Sequence, residues 1–188
     1  KNVKGPSLNK EQIRRIIVLV GKPHLGDLIL SIPFFKTLSN YFPNAEIIYV
    51  GEISSYIESI FNLLPNVSLF YLPKHKKIHS IKYWFKLYIF GIVKHIDLNI
   101  DTQRYFVPSL LFRFVRGTYH LGYSSKCFFS NWKFKEKNRK EVHDAYQTLL
   151  LLKVICIKEI DTSPTLTIPE KYKNIANQYI LQNNLGNK

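Results

Sequence analysis

The sequence predicts an α/β domain in which a parallel sheet carries helices on both faces. Three observations carry that expectation. Short β-branched apolar runs end at glycine or at polar residues. Stretches with apolar residues at helical spacing stand between those runs, and the alternation repeats at least four times. Strand, helix and strand in succession give right-handed crossovers and parallel pairing. The layout is Rossmann-like, and a ligand belongs at the carboxyl ends of the strands.

Arg15 to Val20 read as a buried first strand, closed by Gly21. After the loop Gly21 to Gly26, apolar residues at Leu28, Ile29, Ile32, Phe35 and Leu38 have helical spacing. Pro33 lies inside that pattern, so the helix either kinks there or starts late with Ser31 as its cap. Glu46 to Val50 form the second strand, ending at Gly51. Ser54 or Ser55 caps a short helix through Phe61, and Val67 to Leu72 form the third strand. Ile78 to Val93 make a long helix, Leu98 to Asp101 a fourth strand, Pro108 to Val115 a helix and Tyr119 to Gly122 a fifth strand. Residues 124–138 lack a clear period and read as a surface loop, whereas Val142 to Val154 form an amphipathic helix. The character changes after Ile157. An extended connection past Pro164 and Pro169 leads to a helix from Glu170 to Gln182. The expected organisation is one domain over residues 1–157, then a connection and helix over 158–188 leading to a second domain that the chain lacks.

A chain of 188 residues can bury one sizeable core. Its 46% hydrophobic and 21% charged content excludes a disordered protein. With 27 basic and 13 acidic residues the net charge is +14, which favours nucleic acid, acidic lipid head groups or phosphorylated sugars as partners. A solvated lysine-rich surface is the plainer account of the same charge. Cys127 and Cys156 have no paired spacing, so neither a disulfide framework nor a zinc site is expected, and a reducing compartment is the default. No secretory signal is visible in Lys1 to Arg15, although a chain that opens on lysine and holds no methionine is expected to have lost its natural start. The segment Ile78 to Ile96 is interrupted by Lys82, Lys86 and Lys94 and is not expected to span a bilayer. Its aromatics, among them Tyr83, Trp84 and Phe85, suit either a crossover helix with solvated lysines or a helix lying on an anionic membrane surface. A second basic patch, Lys133 to Lys140, flanks the expected cleft.

The loop Gly21-Lys22-Pro23-His24-Leu25-Gly26-Asp27-Leu28 carries the candidate chemistry. Its glycines have the spacing of a phosphate-binding P-loop, but Asp27 and Leu28 replace the required Lys and Ser/Thr. A carboxylate there repels a triphosphate and no hydroxyl remains for magnesium, so an NTPase is excluded. The dinucleotide fingerprint G-x-G-x-x-G is absent as well. What remains is a carboxylate at a helix N-terminus beside Gly26, where another group can approach the backbone closely. Asp27 either caps the helix or serves as a general base towards a hydroxyl, and the two roles are compatible. Gln103 and Arg104 follow the fourth strand at the site edge, where the arginine is either a clamp for phosphate or carboxylate or a solvated loop residue. Tyr123 either stacks on a sugar or packs in the core. His143 either joins the loop cluster or is structural. No acidic cluster suggests a metal, and no cofactor is expected.

Taken in order, these residues resemble the bacterial ADP-heptose:lipopolysaccharide heptosyltransferases. Ile16-Ile17-Val18-Leu19-Val20, His24-Leu25-Gly26-Asp27-Leu28, Pro33 and Phe42-Pro43-Asn44-Ala45-Glu46-Ile47 are similar to that family's opening. His95-Ile96-Asp97-Leu98-Asn99-Ile100-Asp101-Thr102-Gln103 is similar to its aspartate-bearing strand, and Ser109 stands where the family often has serine. His120-Leu121-Gly122-Tyr123 and Val142-His143, before a leucine-rich helix, follow in the family's order, so the resemblance covers residues 15–157. It implies the N-terminal, acceptor-side half of a two-domain GT-B architecture and an inverting glycosyltransferase. Asp27 would be the base that activates the acceptor hydroxyl. The donor implied is ADP-heptose or a similar nucleotide sugar, held mainly by the missing half. The acceptor implied is an anionic glycolipid or sugar of the lipopolysaccharide-core type, and the setting is the cytoplasm, on the inner face of the inner membrane. Lys22, His24, Gly26, Gln103, Arg104, Tyr123 and His143 would contact the acceptor. Arg104 replaces the family's usual glycine, and Lys22-Pro23-His24 replaces a commoner Arg-x-Ser loop, both where the acceptor should lie. The chain alone is not expected to turn over. Two other readings stand beside this one. A nucleic-acid-binding module accounts for the charge but lacks any RNP, KH or helix-turn-helix pattern, and a degenerate transferase half could serve as a non-catalytic scaffold.

Overall fold

The computed structural model describes residues 8–21, 24–71, 81–103, 105–123, 132–134, 144–163, 165 and 170–183. The strands are β1 (Arg15–Gly21), β2 (Glu46–Gly51), β3 (Val67–Tyr71), β4 (Ile96–Asp101), β5 (Gly117–Tyr123) and β6 (Trp132–Phe134). The helices are α1 (Leu25–Tyr41), α2 (Ser55–Phe61), α3 (Ile81–Lys94), α4 (Phe106–Arg113), α5 (Asp144–Leu151) and α6 (Glu170–Gln182). All strand pairs are parallel, in the order β3-β2-β1-β4-β5-β6. This is the doubly wound, Rossmann-like order, in which the chain reverses direction across the sheet between β1 and β4.

The apolar runs of β1, β2 and β4 follow from burial on both faces. Alternate residues of β1 point to opposite sides. Ile16 and Val18 join a core with Leu28, Phe35, Phe61 and Leu151, so α1, α2 and α5 cover that face. Ile17 and Leu19 join a second core with Trp84, Leu87 and Phe112, so α3 and α4 cover the other. Phe35 meets Phe61 edge-on, with ring centroids 4.7 Å apart.

Several element ends differ from the sequence expectation. α1 runs through Pro33, which is buried inside it, so Ser31 does not start the helix; its hydroxyl donates to the Leu28 carbonyl at 2.7 Å. His24 takes the N-cap position with extended backbone. The stretch read as a loop over 124–138 contains β6, which pairs with β5. Three residues are too few to display an alternation, and what holds β6 is tertiary: Trp132 is buried and stacks on Tyr119 with centroids 4.6 Å apart. α5 tightens into a 3-10 turn over Leu152–Ile155 before the left-handed Cys156. Cys156 is half-buried, and Cys127 lies outside the described residues.

Beyond Ile157 the chain runs along α1. The Asp161 amide donates to Thr37 Oγ1 at 3.1 Å, and its carboxylate meets Lys36 Nζ at 2.8 Å. That lysine, followed by the Ser163 amide, holds the Asp161 carboxyl below the usual carboxylate range. α6 spans the residues expected of it and buries none of them. Among the described residues no helix is long and apolar enough to cross a membrane.

Candidate functional site

The carboxyl edge of the sheet is assembled around two glycines. Gly21 and Gly51 are partners in the β1–β2 ladder, and Gly21 has φ +75°, a conformation that glycine adopts without steric cost. The approach is close. A Cβ on Gly51 would meet the Gly21 carbonyl at 2.5 Å and the Tyr49 hydroxyl at 2.8 Å. A Cβ on Gly21 would lie 2.7 Å from Gln103 Oε1. The Gly21 carbonyl accepts the Glu52 amide at 2.8 Å, and the Tyr49 hydroxyl donates to the Glu52 carbonyl at 3.2 Å. Burial, then the Glu52 carboxylate, then Tyr56 push the Tyr49 hydroxyl well above the ordinary phenol range. Tyr49 is therefore a neutral donor beneath the turns.

The loop after β4 is latched onto the end of β1. Thr102 donates to the Leu19 carbonyl through its amide at 3.2 Å and its hydroxyl at 2.8 Å. The Gln103 amide side chain donates to the Val20 carbonyl, and its backbone N–H donates to Asp101 Oδ1 at 2.8 Å. The start of the loop after β4 is thereby fixed to the last residues of β1. In open α/β sheets the crevice at the reversal point is where ligands bind.

Asp27 stands at the third position of α1, exposed to solvent. Its Oδ2 accepts the His24 amide at 3.2 Å, the returning arm of a capping box. Capping and access thus coexist, since the side chain faces outward while it satisfies one of the helix's free N–H groups. Gly26 and His24 are exposed beside it, and a Cβ added at Gly26 would meet nothing within 4 Å. This arrangement offers a carboxylate, an unobstructed backbone approach and a fixed neighbouring loop to an incoming hydroxyl.

The other expected site residues divide. Gln103 is at the crevice, its amide nitrogen engaged with Val20. Tyr123 requires a correction. It is fully buried, and its hydroxyl lies 3.0 Å from Thr148 Oγ1 on α5, so its ring belongs to the core and is not presented to a sugar. Lys22, Arg104 and His143 lie outside the described residues. Sequence reasoning passed over Glu52, a buried carboxylate directly after Gly51, and Thr102. Their signal was position alone, one residue past a strand end. Among the described residues no three metal-ligating side chains cluster.

No family model and no curated protein matches the chain. Similar solved structures exist. A glycosyl transferase of family 9 from Veillonella parvula is 22% identical with a TM-score of 0.68, over 90% of this chain and 50% of its own. The E. coli heptosyltransferase WaaC, with ADP-2-deoxy-2-fluoro heptose, is 18% identical with a TM-score of 0.58, over 76% of this chain and 48% of its own. E. coli ADP-heptose lps heptosyltransferase II is 16% identical with a TM-score of 0.58, over 88% and 50%. The chain spans about half the length of each. Its fold is Rossmann-like and is similar to about half of the Veillonella parvula structure.

Proposed function

We propose that the chain is the N-terminal, acceptor-binding half of an inverting glycosyltransferase in which Asp27 is the catalytic base. The observation that carries this reading is an exposed carboxylate held at the helix terminus beside the sheet's reversal point. In the reaction, the acceptor hydroxyl oxygen attacks the anomeric carbon of a nucleotide-linked sugar. The bond to the diphosphate breaks, the nucleoside diphosphate leaves, and Asp27 takes the hydroxyl proton as the new bond forms. Orientation comes from the loops, since the Thr102 and Gln103 bonds to β1 hold the crevice floor still while the acceptor docks.

The donor is ADP-heptose or a similar nucleotide sugar, bound mainly by a second domain. The acceptor is an anionic glycolipid of the lipopolysaccharide-core type, a choice supported by the net charge of +14. On this division of labour the chain alone binds an acidic core oligosaccharide and not a nucleotide sugar. Titration followed by amide NMR tests it, with the Gly26, Asp27 and Gln103 resonances expected to shift. Binding of ADP-sugar without binding of the acceptor would assign the chain to the opposite role. No metal takes part in this scheme, so transfer by the full-length protein should survive EDTA. Loss in chelator, restored by magnesium or manganese, would count against it.

A further inference from the structure

α3 has a complete inner face and an apolar outer one. Trp84, Leu87 and Gly91, spaced i, i+3 and i+7, are buried against the sheet. The opposite stripe, Lys82, Phe85, Lys86, Ile89 and Val93, is exposed along its whole length. Phe85 is 60% accessible and Val93 65%.

The surface continues onto the end of α4. A Cβ on Gly91 would lie 3.2 Å from the Arg116 backbone nitrogen, so α3 lies close against the turn that closes α4. There Phe114 is 63% accessible, with Arg113 and Arg116 also exposed. Acidic residues do not interrupt this face. Between Ile81 and Arg116 the sequence holds only Asp97 and Asp101. Asp97 accepts the Arg14 and Arg15 amides at 2.7 and 2.9 Å, and Asp101 is buried.

We propose that this α3–α4 face docks on an anionic lipid bilayer. α3 lies in the plane of the head groups, its lysines among the phosphates, while Phe85, Ile89 and Val93 enter the acyl boundary. At 14 residues, with lysines at 82, 86 and 94, the helix suits lying on a bilayer and is too short to cross one. The aliphatic residues distinguish lipid from nucleic acid. Aromatic rings provide stacking surfaces for bases, but Ile89 and Val93 offer a base nothing to stack on. α3 also runs antiparallel to the strands it connects, so its first turn lies at the carboxyl edge where the crevice opens. The proposal stands whether or not the protein transfers sugar.

Vesicle flotation of the chain tests it, using phosphatidylcholine with or without phosphatidylglycerol at low and high salt. The wild type should float with the anionic vesicles only, and high salt should release it. Phe85→Glu with Ile89→Glu should abolish flotation, and Lys82→Gln or Lys86→Gln should each weaken it about fivefold. Tyr172→Glu with Ile175→Glu, on the equally exposed α6, should leave it unchanged. The lysine variants keep the test intact if the double glutamate variant fails to fold by circular dichroism. The proposal is overturned if the wild type ignores anionic vesicles, binds neutral ones equally, or floats regardless of the α3 substitutions. Tighter binding to random RNA, insensitive to Phe85→Glu, would assign the face to nucleic acid instead.

Discussion

Gly21 and Gly26 lie five residues apart at the edge of one crevice, and side chains there should have opposite consequences. At Gly21 the backbone is left-handed and Gln103 fills the space where a Cβ would stand. Gly21→Ala should cost about 1–2 kcal/mol from the backbone alone, with the displaced glutamine adding to it. Urea denaturation measures this, and an unchanged midpoint would contradict the tie between β1 and the β4 loop. At Gly26 the space is open and the backbone helical, so Gly26→Ala should raise stability by up to about 1 kcal/mol. The same methyl would obstruct an acceptor approaching the backbone, so affinity for the acidic oligosaccharide should fall while the melting temperature does not. Equal affinity would place the acceptor elsewhere. At this scale the sequence made the position of Asp27 in the first turn of α1 legible, because a carboxylate between a strand-closing loop and an apolar helix has few places to stand. It could not make Tyr123 legible. Strand residues alternate between faces, and only the position of α5 decides that this ring points into the core.

Elements were easier to read where burial was complete. β1, β2 and β4 are sheathed on both faces, so composition alone marked them, and α6 carries its full period in isolation. Elements that depend on a distant partner were not visible. β6 exists because Trp132 finds Tyr119, and α1 continues through Pro33 because buried neighbours on that helix, Phe34 and Phe35 among them, pack into the core around it. α3 depends on a similar fit at Gly91, whose missing side chain admits Val115. Gly91→Val should cost about 1–3 kcal/mol by overpacking that contact. Thermal melting checks it, and a melt at the wild-type temperature would mean that α3 and the α4 turn are less closely apposed than described.

For the whole molecule, a buried histidine ties stability to pH. His120 lies in the sheet beside Asn99, with its Nε2 3.2 Å from Arg113 Nη1. Burial first, and the Arg113 charge second, bring its pKa from 6.5 to about 4. The unfolded chain takes up a proton near the ordinary value and the folded chain only well below it. Stability is therefore full above about pH 6.5 and declines as pH falls towards 4, by a total on the order of 3 kcal/mol. Urea midpoints at pH 7 and pH 5 should differ in that sense, and His120→Gln should reduce the difference. An equal difference in the variant would put the dependence on other groups. The parallel sheet and its two covered faces were legible in the alternation of elements, because crossover geometry leaves few alternatives. How the end of β1 and the loop after β4 lock together was not, since those bonds join residues 83 apart in sequence. The most direct test of the account is Asp27→Asn in the full-length protein. Asparagine keeps an oxygen for the His24 amide and removes only the base. Sugar transfer should fall by at least about 100-fold, with the melting temperature close to that of the wild type. Turnover near the wild-type rate would contradict the assignment of Asp27 as the base.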